Sequence, residues 1–524
     1  MVDNIPSVSQ ETNDLAPKIN WNMVKDFELL KYQRETCKRF GEISLPVEAL
    51  NCRNLSCDKP DHKELITKFY NRIIESLLRA GSFITKHENN RYHKLPGWTE
   101  HVAELYDYSK TCHQLWREAN EPRQGFIHSQ YIRSRAKFKY AIRHIKRNEE
   151  KMRKESMAKK LYDRKVKEFW KEVSVSNNCK TPLPDNIEEA NGSNEIVELW
   201  KNHFHAIFNC IKSKIEFSKK LELNNPFSEI VVDSNMVMEA IKELGLNKSA
   251  GMDGITAEHL KYASKELPFL LSMCITSFFS HGYLPESMLS VIIAPVIKDK
   301  AGNINAKDNY RPIALASIIS KVVEIIMLNR METYLIPQPN QFGFKKKHGT
   351  DQCIFALKEL VNRYKAKGSG VYTCFLDASK AFDRVCHNKL FKKLMDCGIP
   401  GYLIRILVFW YANQTMCIRW GSKISNKFKV TNGVRQGSIF SPHLFKIYVD
   451  DLSVILNSHK IGCSIRNIII NHLMYADDLV LICPSSAGLQ TLMEVYQKFG
   501  EENDLILTQR KVQYFPSCQM IRKN

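Results

Sequence analysis

Apolar residues in this chain follow two rhythms. Short unbroken runs, Val291-Ile292-Ile293-Ala294-Pro295-Val296-Ile297, Val371-Tyr372-Thr373-Cys374-Phe375-Leu376 and Leu479-Val480-Leu481-Ile482, are rich in β-branched or aromatic residues. Their length and composition predict buried strands. The second run is predicted to end at Asp377, with Ala378–Val385 leaving as a helix. His472-Leu473-Met474 leads into Tyr475-Ala476-Asp477-Asp478 and out along the third run, so a hairpin with two adjacent carboxylates at its turn is expected. Elsewhere the spacing is helical. Met236, Val237, Ala240, Ile241 and Leu244 follow Asp233-Ser234 and stop at Gly245. Ser441-Pro442 is predicted to cap and start a helix through Leu444, Phe445, Ile447 and Tyr448. Residues 1–130 read as mostly helical and carry no catalytic constellation.

Charge sharpens the picture. The 524 residues, 44% of them hydrophobic, suffice for two to four domains, and 76 Lys plus Arg against 56 Asp plus Glu leave +20. Such an excess points to a polyanion. Half of it lies between Tyr131 and Trp170, where fifteen Lys or Arg face five acidic residues. Phe138, Ile142 and Ile145 fall at helical spacing there, which predicts one long basic helix. Its Arg133, Arg135, Lys137, Lys139, Arg143, Lys146 and Arg147 are candidate phosphate contacts. Asn177–Asn194, with Pro182, Pro184 and Gly192, reads as a linker. No apolar run reaches the roughly 18 residues that span a bilayer, so no membrane association is expected. The first residues lack a secretory pattern, which predicts a non-secreted protein of the nucleus or cytoplasm. Fifteen cysteines without CxxC pairs suggest reduced thiols. Cys52, Cys57 and His62 come nearest to a metal cluster, but their spacing matches no zinc pattern and they are read as ordinary residues.

Two ionised aspartates in a strand context cost desolvation unless a cation receives them, and Mg²⁺ suits oxygen-only ligands. Asp377 supplies a third carboxylate about a hundred residues earlier. Set beside the hairpin, it would complete a site for two Mg²⁺ ions about 3.5–4 Å apart, the arrangement of in-line phosphoryl transfer. Between the acidic sites lies Thr431-Asn432-Gly433-Val434-Arg435-Gln436-Gly437-Ser438-Ile439-Phe440-Ser441-Pro442. Its glycines allow close backbone approach, Gln436 offers an amide and Arg435 a fixed cation.

FLDASKAFDRV, NGVRQGSIFSP and YADD, in that order, resemble motifs A, B and C of reverse transcriptases. Asn309-Tyr310-Arg311-Pro312-Ile313-Ala314-Leu315 and Gln341-Phe342-Gly343-Phe344 resemble fingers motifs of the non-LTR, LINE-type retrotransposon branch, as do KSAGMDGI and SRAKFKYAIRHIKR segments that precede its polymerase. The resemblance implies an α+β right-hand polymerase, with fingers and an antiparallel palm sheet behind a mostly helical N-terminal region. It implies catalytic metal ligands Asp377, Asp477 and Asp478, and Lys298 and Arg311 as clamps on the triphosphate. Phe382 matches the aromatic that blocks a ribose 2′-hydroxyl, Gln436 and Gly437 match the nucleotide pocket, and Lys511 matches a lysine that protonates pyrophosphate. Thr508 stands where the family has asparagine, and Tyr475 where phenylalanine is more usual. Two Mg²⁺, replaceable by Mn²⁺, an RNA template, a DNA primer or target and dNTPs are the implied cofactors and partners, with the oligomeric state open.

Along the chain this reading places a helical region at 1–130, a basic RNA-binding helix at 131–172 and a linker with helices at 173–232. An extension of the fingers occupies 233–275, and fingers and palm 276–524. The chain stops shortly after Lys511, so neither a thumb nor an endonuclease is expected within it. Two alternatives stay open: an RNA-binding remnant without catalysis, and an RNA-dependent RNA polymerase, against which Phe382 speaks.

Overall fold

The computed structural model describes residues 19–55, 57–84, 98, 100–176, 183–211, 227–336, 338–345 and 347–516. Contacts group the chain into two compact units, residues 87–184 and residues 1–86 with 185–524. The grouping crosses the composition boundary at residue 131, because the helix Glu100–Glu118 packs along Phe126–Arg147. Trp116 stacks on Tyr131 at 4.6 Å, and Phe138 packs against Tyr106 and Trp98.

The single basic helix expected over 131–170 is three. Asn148 closes the first, its side-chain amide donating to the His144 carbonyl, and Glu149-Glu150 open the next where acids favour a helix N-terminus. Arg164, with φ +56, separates Glu149–Tyr162 from Val166–Ser176, and Glu172 accepts from Lys160 and Ser156 across the gap.

The larger unit is built on two sheets. Their principal strands are β1 (Ser290–Ile297), β2 (Tyr310–Leu315), β3 (Val371–Ser379), β4 (Thr415–Trp420), β5 (His472–Tyr475), β6 (Asp478–Cys483) and β7 (Ile506–Phe515). One sheet runs β5-β6-β3-β7, antiparallel throughout. In the other, β1 pairs antiparallel with β2 and parallel with β4. Alternate strand residues face opposite sides. Cys374, Leu376, Leu479 and Leu481 enter the main core with the helices Ser441–Ser458 and Ser486–Glu502, while Val371, Val480 and Ile482 pack with the helix Thr350–Ala366.

Several expectations hold: the helix Ser234–Glu243, strand β1 and the acidic hairpin fall where the pattern put them. Others need correction. β3 does not end at Asp377 but runs to Ser379, because β7 pairs with it as far as Ile506. The next element is a single 3₁₀ turn, Ala381–Arg384, entered through Lys380 at φ +52, not an α-helix. Ser441 is the first residue of the helix Ser441–Ser458 rather than its cap, which is Phe440, and the Ser438 hydroxyl just before it accepts from the Phe440 and Ser441 amides. Part of the expected linker is core: Ile187 and Ala190, in a short hairpin pairing Asn186–Ile187 with Ala190–Asn191, are buried with Trp200, Phe204 and Phe208 of the following helix Gly192–Phe208, which pack against Tyr310 and Trp420. Residues 177–182 of that linker lie outside the described residues.

Candidate active site

The antiparallel register pairs Leu479 with Leu376. One step further along it, Asp478 stands beside Asp377 on the neighbouring strand. Both are on the face that carries Phe375 and Val480, opposite Leu376 and Leu479. Tyr475 pairs with Asp478 around a two-residue turn, Ala476-Asp477, with Ala476 at φ +60. Three carboxylates from sequence-distant segments therefore gather at one end of one sheet. Their charges converge on a buried phenol as well. Tyr496 is pushed up first by burial, then by Asp377, Cys374, Asp477 and Asp478.

A strap that the sequence reading placed in the fingers holds this turn. The Phe342 amide donates to the Met474 carbonyl (2.8 Å) and the Met474 amide to the Asn340 carbonyl (2.9 Å), while buried Gln341 Oε1 accepts from the Gly343 and Ala476 amides. A Cβ at Gly343 would run into the Ala476 amide nitrogen. Gly343→Ala is therefore expected to displace the acidic turn, costing about 1–3 kcal/mol in urea denaturation. An unchanged urea midpoint would mean that the strap does not hold the turn.

The loop before Ser441 packs onto the 3₁₀ turn. The Gly433 and Val434 amides donate to the Val385 and Phe382 carbonyls at 2.8 Å each, and buried His387 donates to the Gly433 carbonyl. Gln436 Nε2 donates to Asp383 Oδ1 at 2.9 Å. Gly437, at φ +109, brings the loop against the Ala314 carbonyl, where a Cβ would sit at 3.0 Å, and the Gln436 carbonyl accepts from the Ala314 amide. Arg435, read from the sequence as a fixed cation beside a ligand, is held in a buried ion pair instead. It is buried, pairs with Glu324 at 2.5 Å and lies 4.7 Å over the Trp410 ring. Phe382 is half-buried, stacked on Phe445 at 4.6 Å with Phe344 at its edge.

Lys298 and Arg311 are both exposed. Val296 pairs with Arg311, and Lys298, two residues on, shares their face. Lys298 Nζ donates to the Asp308 carbonyl (2.9 Å), and Lys380 approaches Asp308 Oδ1 (3.6 Å). Lys511 pairs with Phe375 past a bulge in β7, on the face of Asp377, and Thr508 Oγ1 donates to the Asp377 carbonyl. In the smaller unit Arg133, Arg135, Lys137, Lys139, Arg143, Lys146 and Arg147 are all exposed, and among the described residues none forms an ion pair.

The sequence shows no role for Glu324, Asp383 and Lys380, and it places Gln341 in a remote fingers motif. A lone carboxylate inside Val322-Val323-Glu324-Ile325-Ile326 was the available signal for a buried partner. Asp383 is buried, which raises its carboxyl to about 6 against the pull of Gln436, Lys380 and Lys298. Its folded value lies above the unfolded one. Its stabilising contribution is therefore present at acid pH and lost as pH rises through about 6. Asp383→Asn, which keeps an oxygen for Gln436, is expected to flatten that fall, so that urea midpoints at about pH 4 and about pH 7 move closer together. An unaltered pH slope would show that Asp383 does not cause it.

Residues 297–521 match the family model of the reverse transcriptase (RNA-dependent DNA polymerase). Several proteins similar to this chain are named as RNA-directed DNA polymerases or Pol polyproteins of mobile elements. The RNA-directed DNA polymerase from mobile element jockey of Drosophila funebris is 26% identical over 327 residues, 59% of this chain and 35% of that protein. The Pol polyprotein from type-2 retrotransposable element R2DM of Drosophila melanogaster is 29% identical over 255 residues, 48% of this chain and 23% of its own length. A probable RNA-directed DNA polymerase from transposon X-element of the same fly is 30% identical over 221 residues, 41% and 24% of the two chains. The match thus spans roughly a quarter to a third of these relatives.

Proposed function

We propose that the chain is an RNA-directed DNA polymerase that extends a DNA 3′ end on an RNA template, with the β5-β6-β3-β7 sheet as palm and the β1–β2 hairpin in the fingers. The observation that carries this reading is the gathering of Asp377, Asp477 and Asp478 at one end of that sheet, inside the stretch that matches the reverse transcriptase family model. An oxygen-only set of three carboxylates fits a hard divalent cation, Mg²⁺ or Mn²⁺, and these three residues would hold it. When bound, two such ions neutralise the charge that develops on the transferring phosphoryl group.

The remaining roles belong to the chain. Lys298 and Arg311, side by side on one exposed face, grip the triphosphate as a point charge and a planar fork. Gln436 is fixed by Asp383, and Gly437 lets the loop that carries it pack closely against the Ala314 backbone beside the nucleotide pocket. Lys511 holds the proton that the departing pyrophosphate takes. Phe382, clamped by Phe445, closes the space a ribose 2′-hydroxyl needs. The seven exposed cations of Phe126–Arg147 meet the phosphates of the RNA. These roles divide the chain into RNA binding at 131–172, an extension at 233–275, and fingers and palm at 276–524.

Primer extension on poly(rA)/oligo(dT) with Mg²⁺ tests the reading, and dTTP incorporation is expected. Preferential UTP incorporation would favour an RNA polymerase, and salt-sensitive RNA binding without incorporation a non-catalytic remnant. Phe382→Ala is expected to relax discrimination against ribonucleotides by about 10–100-fold. Loss of its stacking alone would lower stability without changing the ratio of ribo- to deoxynucleotide use, and that result removes its assigned role.

A further inference from the structure

The fold completes a cluster that the sequence leaves unfinished. Cys52 and Cys57 flank the turn before the helix Pro60–Gly81, and His62 lies in its first turn. His281, more than two hundred residues later, is the last residue of the helix Leu267–His281. One ligand atom from each of the four lies within 4.8 Å of all the others. Cys57, His62 and His281 are buried and Cys52 half-buried. The fourth donor is what the sequence lacked: three residues at this spacing match no zinc pattern, and the missing one arrives by tertiary packing.

We propose that Cys52, Cys57, His62 and His281 form a structural zinc site, the metal stapling the N-terminal helix Pro60–Gly81 to the helix that leads into β1. Zn–S and Zn–N bonds of about 2.3 and 2.0–2.1 Å in a tetrahedron set S···N at about 3.6 Å and N···N at about 3.3 Å. Cys57 Sγ lies 3.6 Å from His62 Nδ1, which lies 3.3 Å from His281 Nε2. His281 Nδ1–H donates to the Ser277 carbonyl at 3.0 Å, which leaves Nε2 its lone pair for a metal, the outer contact that orients most histidine ligands. Without a metal, His62 Nδ1 faces both Cys57 Sγ and His281 Nε2 and, with one proton or one lone pair to offer, can satisfy only one of them. A divalent ion with two thiolates and two neutral imidazoles is a neutral unit, so it can be buried without an uncompensated charge. Two sulfurs and two nitrogens in a tetrahedron select zinc over Mg²⁺ or Ca²⁺. The two helices already meet beside the site, where Thr67 Oγ1 and Tyr283 Oη lie 2.9 Å apart. Arg405 donates to the Phe279 and Ser280 carbonyls and holds the helix end that carries His281.

The test needs no polymerase activity. The full chain, purified under reduction, is expected to carry about one equivalent of zinc by elemental analysis. Chelation followed by CoCl₂ should give the visible absorption of a tetrahedral cobalt–thiolate centre. Both signals should be lost in the Cys52→Ser, Cys57→Ser double variant and kept in Cys397→Ser, whose exposed thiol lies outside the cluster. Where the double variant does not fold, the chelated wild-type chain, checked for helix content, decides through cobalt binding alone. Absence of zinc and of the cobalt band with free thiols, a Cys52–Cys57 disulfide in the metal-free protein, or metal retained without both cysteines would each overturn the proposal.

Discussion

Replacing Asp477 and Asp478 together by alanine is expected to cut dTTP incorporation on poly(rA)/oligo(dT) at least about a thousandfold, with the fold left intact. The expected loss is electrostatic in origin. Phosphoryl transfer offers the protein little covalent chemistry, so positioning and charge stabilisation supply nearly all the acceleration, and in the proposed reading the three carboxylates at one sheet end anchor both. Asp478 is exposed and Asp477 sits in a two-residue turn, so neither anchors the core. Removing two neighbouring like charges should leave the thermal midpoint unchanged or slightly raised. Steady-state incorporation and a melting curve on the same preparation separate the two effects. Incorporation that survives the substitution would exclude these aspartates from the reaction.

Glu324→Gln should lower stability by about 3–5 kcal/mol, measured by urea denaturation. Glu324 carries two duties: Oε1 pairs with Arg435 and Oε2 accepts from the Ile439 amide at 2.9 Å, both in the core. Neutralising it leaves a guanidinium buried over Trp410 with no counter-charge. Replacing both partners by methionine should recover much of the loss, since an apolar pair of similar volume carries no desolvation cost. A single-variant loss below about 1 kcal/mol would show that Arg435 finds water when its partner is gone. Because the pair braces the loop that carries Gln436, turnover is expected to fall with stability.

Strands and the acidic turn were legible in the sequence because a short β-branched run is too brief for a buried helix, and carboxylates break it only where the strand meets solvent or a cation. The strand β3 was extended beyond Asp377 by pairing with β7, a partner about 130 residues away that no local pattern announces. The basic helix was divided at Asn148 and Arg164, residues that period-3.6 counting passes over. At the site, Asp377, Asp477 and Asp478 meet at one end of one sheet as the sequence suggests, but the groups that position them did not show. Arg435 looked like a ligand cation and is a buried ion-pair partner, because its partner Glu324 lies in another helix. The Gln341 strap looked like a remote motif and lies against the acidic turn. Cys52, Cys57 and His62 could not be read as a cluster while His281 was unknown. Each failure is a tertiary contact between distant segments, the part of folding that spacing does not encode.

The order of the strands has a consequence during synthesis. β3 lies between β6 and β7, so its partners leave the ribosome about 100–140 residues after it. At about 5–20 residues per second, the strand bearing Asp377 waits roughly 5–30 s with both edges unpaired and with Phe375 and Leu376 uncovered. Such high contact order slows folding, and an open, apolar strand edge is a template for pairing with other chains. The strand bearing Asp377 is therefore a segment of the nascent chain in need of a chaperone, and pauses in translation between residues 380 and 470 should raise the aggregated fraction.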